Sequence, residues 1–212
     1  MTDPYEDQEE LEKVKRWWST YGNALLLGIA VGLAALFGNK YWAQYKQQRA
    51  EAASAIYDQL LEEFNKKAFD EVEKSVAALM SDYSATPYAA LGAMIIARVN
   101  VDKGKSEDAR ASLEWAVANA TDEGTRHVAR LRLARLLRQA KEFDGALAIL
   151  QVEDIRGFES DYYELRGDLA LAKGDKGAAR EAYREALKFL DSASTYRPVL
   201  NMKLADLGPE SS

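Results

Sequence analysis

His127 is the one histidine of the chain, and there is no cysteine. A two-imidazole or thiolate metal site therefore cannot be assembled, and any Ser-His-Asp arrangement would have to be built on His127 alone. His127 sits in EGTRHVARLRLARLL, a stretch with the pattern of one helix, where it reads as a surface or half-buried residue. The phosphate-cradling and nucleophile-elbow patterns GxxxxGK(S/T), GxGxxG and GxSxG are absent. Carboxylates are abundant, but Glu62/Glu63, Glu71/Glu73 and Glu181/Glu185 read as solvated helix faces. The sequence thus predicts no catalytic residue, no metal, no cofactor and no small-molecule substrate. One charged set remains. Arg132, Arg135 and Arg138 recur every third residue, opposite Leu133, Leu136 and Leu137, and Glu164 and Asp168 follow further on. Such groups either read a charged or extended peptide or form inter-helix ion pairs worth about 0–1 kcal/mol each, and the second is the simpler reading.

The elements that would position these residues are helical throughout. Ala52, Ala53, Ile56, Leu60 and Phe64 make a stripe near the 3.6 period, and no alternating or Val/Ile/Thr-rich run follows it. Turn signals at Asn65-Lys-Lys, Ser84-Ala-Thr-Pro87, Asp102-Lys-Gly104, Thr121-Asp-Glu-Gly124, Gly157 and Lys173-Gly-Asp175 divide the chain into helices of about 10–20 residues. These signals repeat. In LRGDLALAKGDKGAAREAYREALKFL a helix with Gly167 ends at Gly174, and a second helix carries Ala179, Tyr183 and Ala186. Small residues at this spacing let two antiparallel helices approach closely, with the ring filling the gap between them. The same frame supplies Gly104, Ala109, Leu113 and Ala116 upstream, then Lys141, Ala146 and Leu150. Ala109, Ala146 and Ala179 are spaced by 37 and 33 residues.

Ahead of the repeats, Trp17 to Asn39 contains no Asp, Glu, Lys, Arg or His. As a helix it would span roughly 34 Å, enough for a hydrocarbon core of about 30 Å. Its apolar residues contribute about −3 to −4 kcal/mol on an insertion scale. Trp17, Trp18 and Tyr21 stand at one end and Tyr41, Trp42 and Tyr45 at the other, where interfacial rings are favoured. A buried core helix would carry a polar stripe, a cleaved leader would follow a short basic segment, and a surface-lying helix would have a charged face. None of the three fits, so the stretch reads as a transmembrane helix in contact with the lipid bilayer. Ala24, Gly28 and Gly32 recur every fourth residue on one face, a spacing that lets another helix approach. Lys13, Lys15 and Arg16 precede the span and Lys40, Lys46 and Arg49 follow it. The count of bases does not orient the span, although the tighter cluster before it favours a cytoplasmic N-terminus. Residues 1–49 hold six acids and six bases, so the formal charge of −6 belongs to the remainder. An acidic domain is poorly suited to nucleic acid and is repelled by anionic lipid heads.

The repeat frame resembles the tetratricopeptide repeat, whose helix pairs recur about every 34 residues. The last copy fits well, with Tyr163 at the first aromatic position of that family. The middle copy is looser, with Lys141 in place of the turn glycine and Glu153 in place of the final alanine. Residues 50–86 have the length of a pair but few of its signature residues. Such pairs stack into a solenoid whose concave side is lined by the first helix of each, which would set Arg135, Arg138, Glu164 and Asp168 in a groove. A second resemblance is narrower. VKRWW with GNALLLGIAVGLAALFGNKYW, then RLARLLRQAKEFDGAL, LRGDLALAKGDKGAAREAY and NMKLADL, is similar to YfgM-type proteins, the ancillary subunits of the bacterial SecYEG translocon. The similarity runs in order from about residue 8 to 207.

The expectation is an all-α chain with a single N-terminal transmembrane helix followed by a tetratricopeptide-like α-solenoid. Residues 1–16 would form a cytoplasmic tail, 17–42 the span with its flanks, 43–207 the repeat domain and 208–212 a C-terminal tail. The resemblance implies a single-pass (type II) inner-membrane protein with a periplasmic domain. It also implies association with the SecYEG translocon and a membrane-anchored periplasmic chaperone of the PpiD type, a part in handing emerging proteins to periplasmic chaperones, and no catalytic residues. A tethered scaffold for envelope complexes unrelated to secretion is the alternative.

Overall fold

The computed structural model describes residues 4–209; within its first helix the side chains of residues 4–11, 14, 23–25, 27–31 and 35 lie outside the description. Among the described residues all regular structure is helical. The elements are α1 (Pro4–Asn65), α2 (Phe69–Asp82), α3 (Pro87–Asp102), α4 (Ser106–Asn119), α5 (Glu123–Gln139), α6 (Phe143–Ile149), α7 (Glu159–Ala172), α8 (Lys176–Lys188) and α9 (Arg197–Asp206). Two compact units divide within α1, Met1–Glu51 and Ala52–Ser212.

In the first unit the described rings Trp17, Trp18, Tyr21, Tyr41, Trp42 and Tyr45 are exposed, as are Leu26, Leu33, Leu36 and Phe37. Trp17 and Tyr21 approach at 6.0 Å, Trp42 and Tyr45 at 5.8 Å, and the Lys46 ammonium lies over the Trp42 ring. Among the described residues no helix is long and apolar enough to cross a membrane. Leu25, Leu27, Ile29 and Val31 of the uncharged stretch lie outside them, as do Ala24 and Gly28 of the small-residue face. Gly32 is exposed, and a Cβ added there would meet nothing within 4 Å.

The second unit is a stack of helix pairs. Each pair turns through one left-handed residue: Lys67 at φ 58°, Gly104 at 75°, Lys141 at 63° and Gly174 at 87°. After each, the next amide donates back across the helix end: Ala68 to Glu63 O, Lys105 to Asn100 O, Glu142 to Leu137 O and Asp175 to Ala170 O, all at 2.8–2.9 Å. This is a Schellman closure, which satisfies a carbonyl that the helix leaves unpaired. Gly208, at φ 75°, repeats the conformation after α9. Helix starts are fixed locally. Asp122 accepts from the Thr125 amide and Asp175 from the Ala178 amide, while Pro87 opens α3.

The turn residues give the repeat its register and bring in residues 50–86, where the sequence signature is weak. Seven residues before each turn stand Leu60, Ala97, Ala134 and Gly167; nine after stand Val76, Leu113, Leu150 and Tyr183. All eight are buried. The smallest residue at the first position accompanies the largest at the second. An ideal Cβ on Gly167 would come within 2.5 Å of Tyr183 Cε1, so in this pair the ring occupies the space a side chain would need. Ala109, Ala116, Ala146, Ala179 and Ala186 are also buried between helices.

One pair departs from the expected helix lengths. α6 has seven residues, and the chain leaves the helix at Leu150, which remains buried, before Gly157 turns it at φ 84°. The position that would face inward next is Glu153, and a carboxylate there would be buried without a partner. The chain instead runs as an irregular segment to Phe158, held in part by Arg166 Nη2 donating to Leu150 O at 2.9 Å.

Candidate functional site

The first helices of successive pairs, α5 and α7, with α9 beyond them, present charged residues to one another, while Arg98 of α3 pairs within its own helix. Arg98, Arg135 and Asp168 each stand six residues before their turn residue and so occupy equivalent places. Arg138 Nη1 donates to Asp168 Oδ2 at 2.6 Å. The other oxygen of Asp168 accepts from the Tyr183 hydroxyl at 2.8 Å and from Lys203 Nζ at 2.7 Å. Lys203 also donates to Glu164 Oε1 at 2.6 Å, and that oxygen accepts from the Tyr196 hydroxyl at 2.8 Å. Arg135 reaches Asp161 rather than Glu164, at 4.0 Å. The four groove residues read from the sequence are therefore in one neighbourhood. Lys203 and Tyr196 of the α9 region complete it, and nothing in the local sequence pointed to them. Extending the repeat by one more period, to Gly208, would have put Lys203 on a first-type helix.

These contacts leave the α7 end of the face with its charges matched. Glu164 is buried, and Lys203, between two carboxylates, also lies 5.5 Å from the centre of the Tyr183 ring. Burial raises the Tyr196 hydroxyl to about 12, helped by its bond to Glu164. Burial likewise raises Tyr183, whose bond to Asp168 adds to the effect. Burial raises the Asp161 carboxyl, and the Arg135 charge opposes the rise. Replacing Lys203 by methionine keeps the aliphatic stem but leaves two neighbouring carboxylates without their common cation. Removing one partner of a fully buried pair costs 3–5 kcal/mol, and the remaining solvent access here brings the expected loss to about 2 kcal/mol. The urea midpoint of Lys203→Met should fall accordingly, with part of the loss recovered by adding Glu164→Gln.

Toward α3 the face opens into a cleft of about 590 Å³. Met94, Ala97 and Val101 of α3, Leu113 of α4 and Leu136 of α5 line it with apolar atoms. Arg98, Arg132, Arg135 and Arg138 stand among the same lining residues. Arg98 is held by Asp102 of its own helix, with Nε to both carboxylate oxygens at 3.1 and 3.0 Å. Tyr57 of α1, whose ring lies 5.5 Å from that of Tyr88, has its hydroxyl raised by burial, and the nearby Arg132 charge counteracts this.

His127 faces elsewhere. It is buried between α5 and α7, where Nδ1 and the Tyr162 hydroxyl share a hydrogen bond of 2.8 Å and the Phe158 ring lies 4.8 Å away. A recess of about 530 Å³ beside it is lined by Glu123, Gly124, Asp154, Arg156 and Phe158. Asp154 and Arg156 bind each other, and Arg156 holds the Asp154 carboxyl down at about 2. Among the described residues no three of His, Cys, Asp or Glu are grouped so as to hold a metal ion. Tyr163, at the first aromatic position of the repeat, is half-buried and stacks on Phe189 at 5.7 Å, while the adjacent Tyr162 is fully buried.

The histidine gives the domain a pH dependence. Burial lowers its pKa and the Arg130 charge adds to this, while Glu123 and Asp154 oppose them. The unfolded chain takes up a proton near pH 6.5 and the folded chain does so only at lower pH. The stabilising effect of a neutral His127 is therefore complete above about pH 6.5 and is lost as pH falls through the folded value. Urea midpoints measured downward from about pH 8 should begin to drop near 6.5, and His127→Gln should flatten that part of the curve.

The shared left-handed turn, the paired small and large residues and the stacked helix pairs together define a tetratricopeptide-like helical repeat protein. The family model described as "Tetratricopeptide repeat-like domain" matches residues 15–209. The likeness extends beyond the fold. The chain is 32% identical to the ancillary SecYEG translocon subunit of Escherichia coli (strain K12), over 96% of this chain and 98% of that one. It is 28% identical to the protein of that name from Haemophilus influenzae, over 95% and 98% of the two chains. For the one from Neisseria gonorrhoeae the figures are 29%, 95% and 97%. The chain belongs to this family of ancillary SecYEG translocon subunits.

Proposed function

We propose that this chain is a non-enzymatic, membrane-anchored protein-interaction module that serves the SecYEG translocon and helps pass newly translocated proteins to periplasmic chaperones. The observation that carries this reading is the collinear likeness to ancillary translocon subunits over nearly the whole chain, uncharged stretch included. Residues 17–42 act as a single span in the inner membrane, and the exposed tryptophans and tyrosines at its two ends sit at the interfaces. The N-terminal residues 1–16 are cytoplasmic and the repeat domain is periplasmic. Ala24, Gly28 and Gly32 offer a face to a neighbouring membrane helix. A tethered domain meets its partners at high local concentration, so modest contacts suffice. A membrane-anchored chaperone of the PpiD type is one such partner, and the concave face from Arg135 to Asp168 is the surface offered to it.

Two experiments test this reading. The tagged chain, extracted in mild detergent, should bring down translocon components. Recovery of envelope complexes without them would favour the scaffold role instead. Protease added to spheroplasts should digest the repeat domain, and its protection there would overturn the orientation.

A further inference from the structure

The two halves of the charged face differ in how their charges are met. Around α7 and α9, Asp168 and Glu164 are each bound by cations and hydroxyls on the same face. The cleft between α3 and α5 has an apolar floor of Met94, Ala97, Leu113 and Leu136, and no carboxylate occurs among the described residues that line it. Four guanidinium groups surround this floor. Arg98 and Arg138 have carboxylate partners at 3.1 Å or less. Arg135 has one only at 4.0 Å, and Arg132 makes neither a hydrogen bond nor an ion pair among the described residues. Although the chain as a whole carries a net charge of −6, the local charge round this apolar cleft is basic and complements an acidic ligand there.

We propose that this cleft binds an acidic peptide segment of a partner protein, with an apolar side chain seated on the Met94–Leu136 floor and a flanking carboxylate held by Arg132 and Arg135. The guanidinium fork matches a carboxylate in two parallel hydrogen bonds, and the cleft has the volume of a side-chain or small-ligand site. A lipid headgroup would meet the same arginines but would not account for the apolar floor. This inference rests on the reading that the chain works by binding proteins, and it names the chemistry of one ligand.

The test uses the full chain in mild detergent and a fluorescein-labelled peptide in which a Leu-Phe pair stands between two Asp-Glu pairs. Fluorescence anisotropy should show saturable binding that weakens with added salt. The double variant Arg132→Glu/Arg135→Glu should bind about tenfold more weakly, as should a peptide with Ser-Ser in place of Leu-Phe. Both arginines are exposed, so the variant should keep its fold, as circular dichroism would verify. Lys66→Glu, outside the cleft, should bind as the parent does. The proposal is overturned by an absence of saturable binding or by equal binding to the double variant. It is also overturned if the Ser-Ser peptide binds as well as the parent and phosphatidylglycerol vesicles displace both, which would assign the arginines to lipid headgroups. Translocon components retained on a chain that ignores the peptide would sink this inference alone. Their loss from the unmodified chain would sink the reading beneath it.

Discussion

Gly167→Ala should destabilise the repeat domain by about 2 kcal/mol, although the same change on an exposed helix would gain up to about 1 kcal/mol from propensity alone. The reason is the Tyr183 ring. An added Cβ would lie 2.5 Å from Cε1 and 2.6 Å from Cδ1. The ring has little room to retreat, because Tyr183 is buried and its hydroxyl is bound to Asp168 at 2.8 Å. For a domain of this size the loss corresponds to a fall in Tm of about 4–8 °C. The two preceding pairs show how the strain can be relieved: Ala97 accompanies Leu113, and Ala134 accompanies Leu150. Gly167→Ala/Tyr183→Leu recreates that combination, so the double variant should lose at least 1 kcal/mol less than the sum of the single losses. Urea unfolding followed by circular dichroism measures all three. If Gly167→Ala were neutral, the close approach of α7 and α8 would not be what holds the last pair together.

The second large effect concerns the proposed anchor, residues 17–42. Leu26→Arg/Leu33→Arg places two charges on one face of the uncharged stretch, seven residues apart. Each arginine near the centre of a span costs about 2.5–3.5 kcal/mol, and the two together exceed the −3 to −4 kcal/mol that the apolar residues of the stretch supply. The variant should leave the carbonate-washed membrane fraction almost completely, whereas Leu26→Ala/Leu33→Ala should stay in it. Retention of the arginine variant at the level of the parent would mean that something other than residues 17–42 holds the chain at the membrane.

The parts of this molecule that are visible in its sequence are those with short-range causes. Gly104 and Gly174 mark left-handed turns because they free the backbone there, and the alanines that follow recur at helical spacing. Where a lysine takes the same conformation, at Lys67 and Lys141, the punctuation is hidden. The pair in residues 50–86 is hard to see for that reason, and because Leu60 and Val76 divide the core volume more evenly than Gly167 and Tyr183 do. Glu153, read as a mismatch in the repeat, marks the place where the second helix of its pair has already ended. The charges of α5 and α7 are legible as a set but not in their pairing. Arg135 meets Asp161, while Glu164 is taken by Lys203 and Tyr196, contacts that span 39 and 32 residues. Such contacts depend on where α9 docks and have no local pattern. Of the adjacent tyrosines of α7, Tyr162 is fully buried and Tyr163 only half-buried, a difference that helix packing decides.

The most direct test of the account is a paired purification in mild detergent of the tagged full chain and of the same chain without residues 1–45, both at native expression levels. The account predicts translocon components with the full chain and a loss of at least tenfold with the shortened one. Recovery of those components at full strength without residues 1–45 would contradict it.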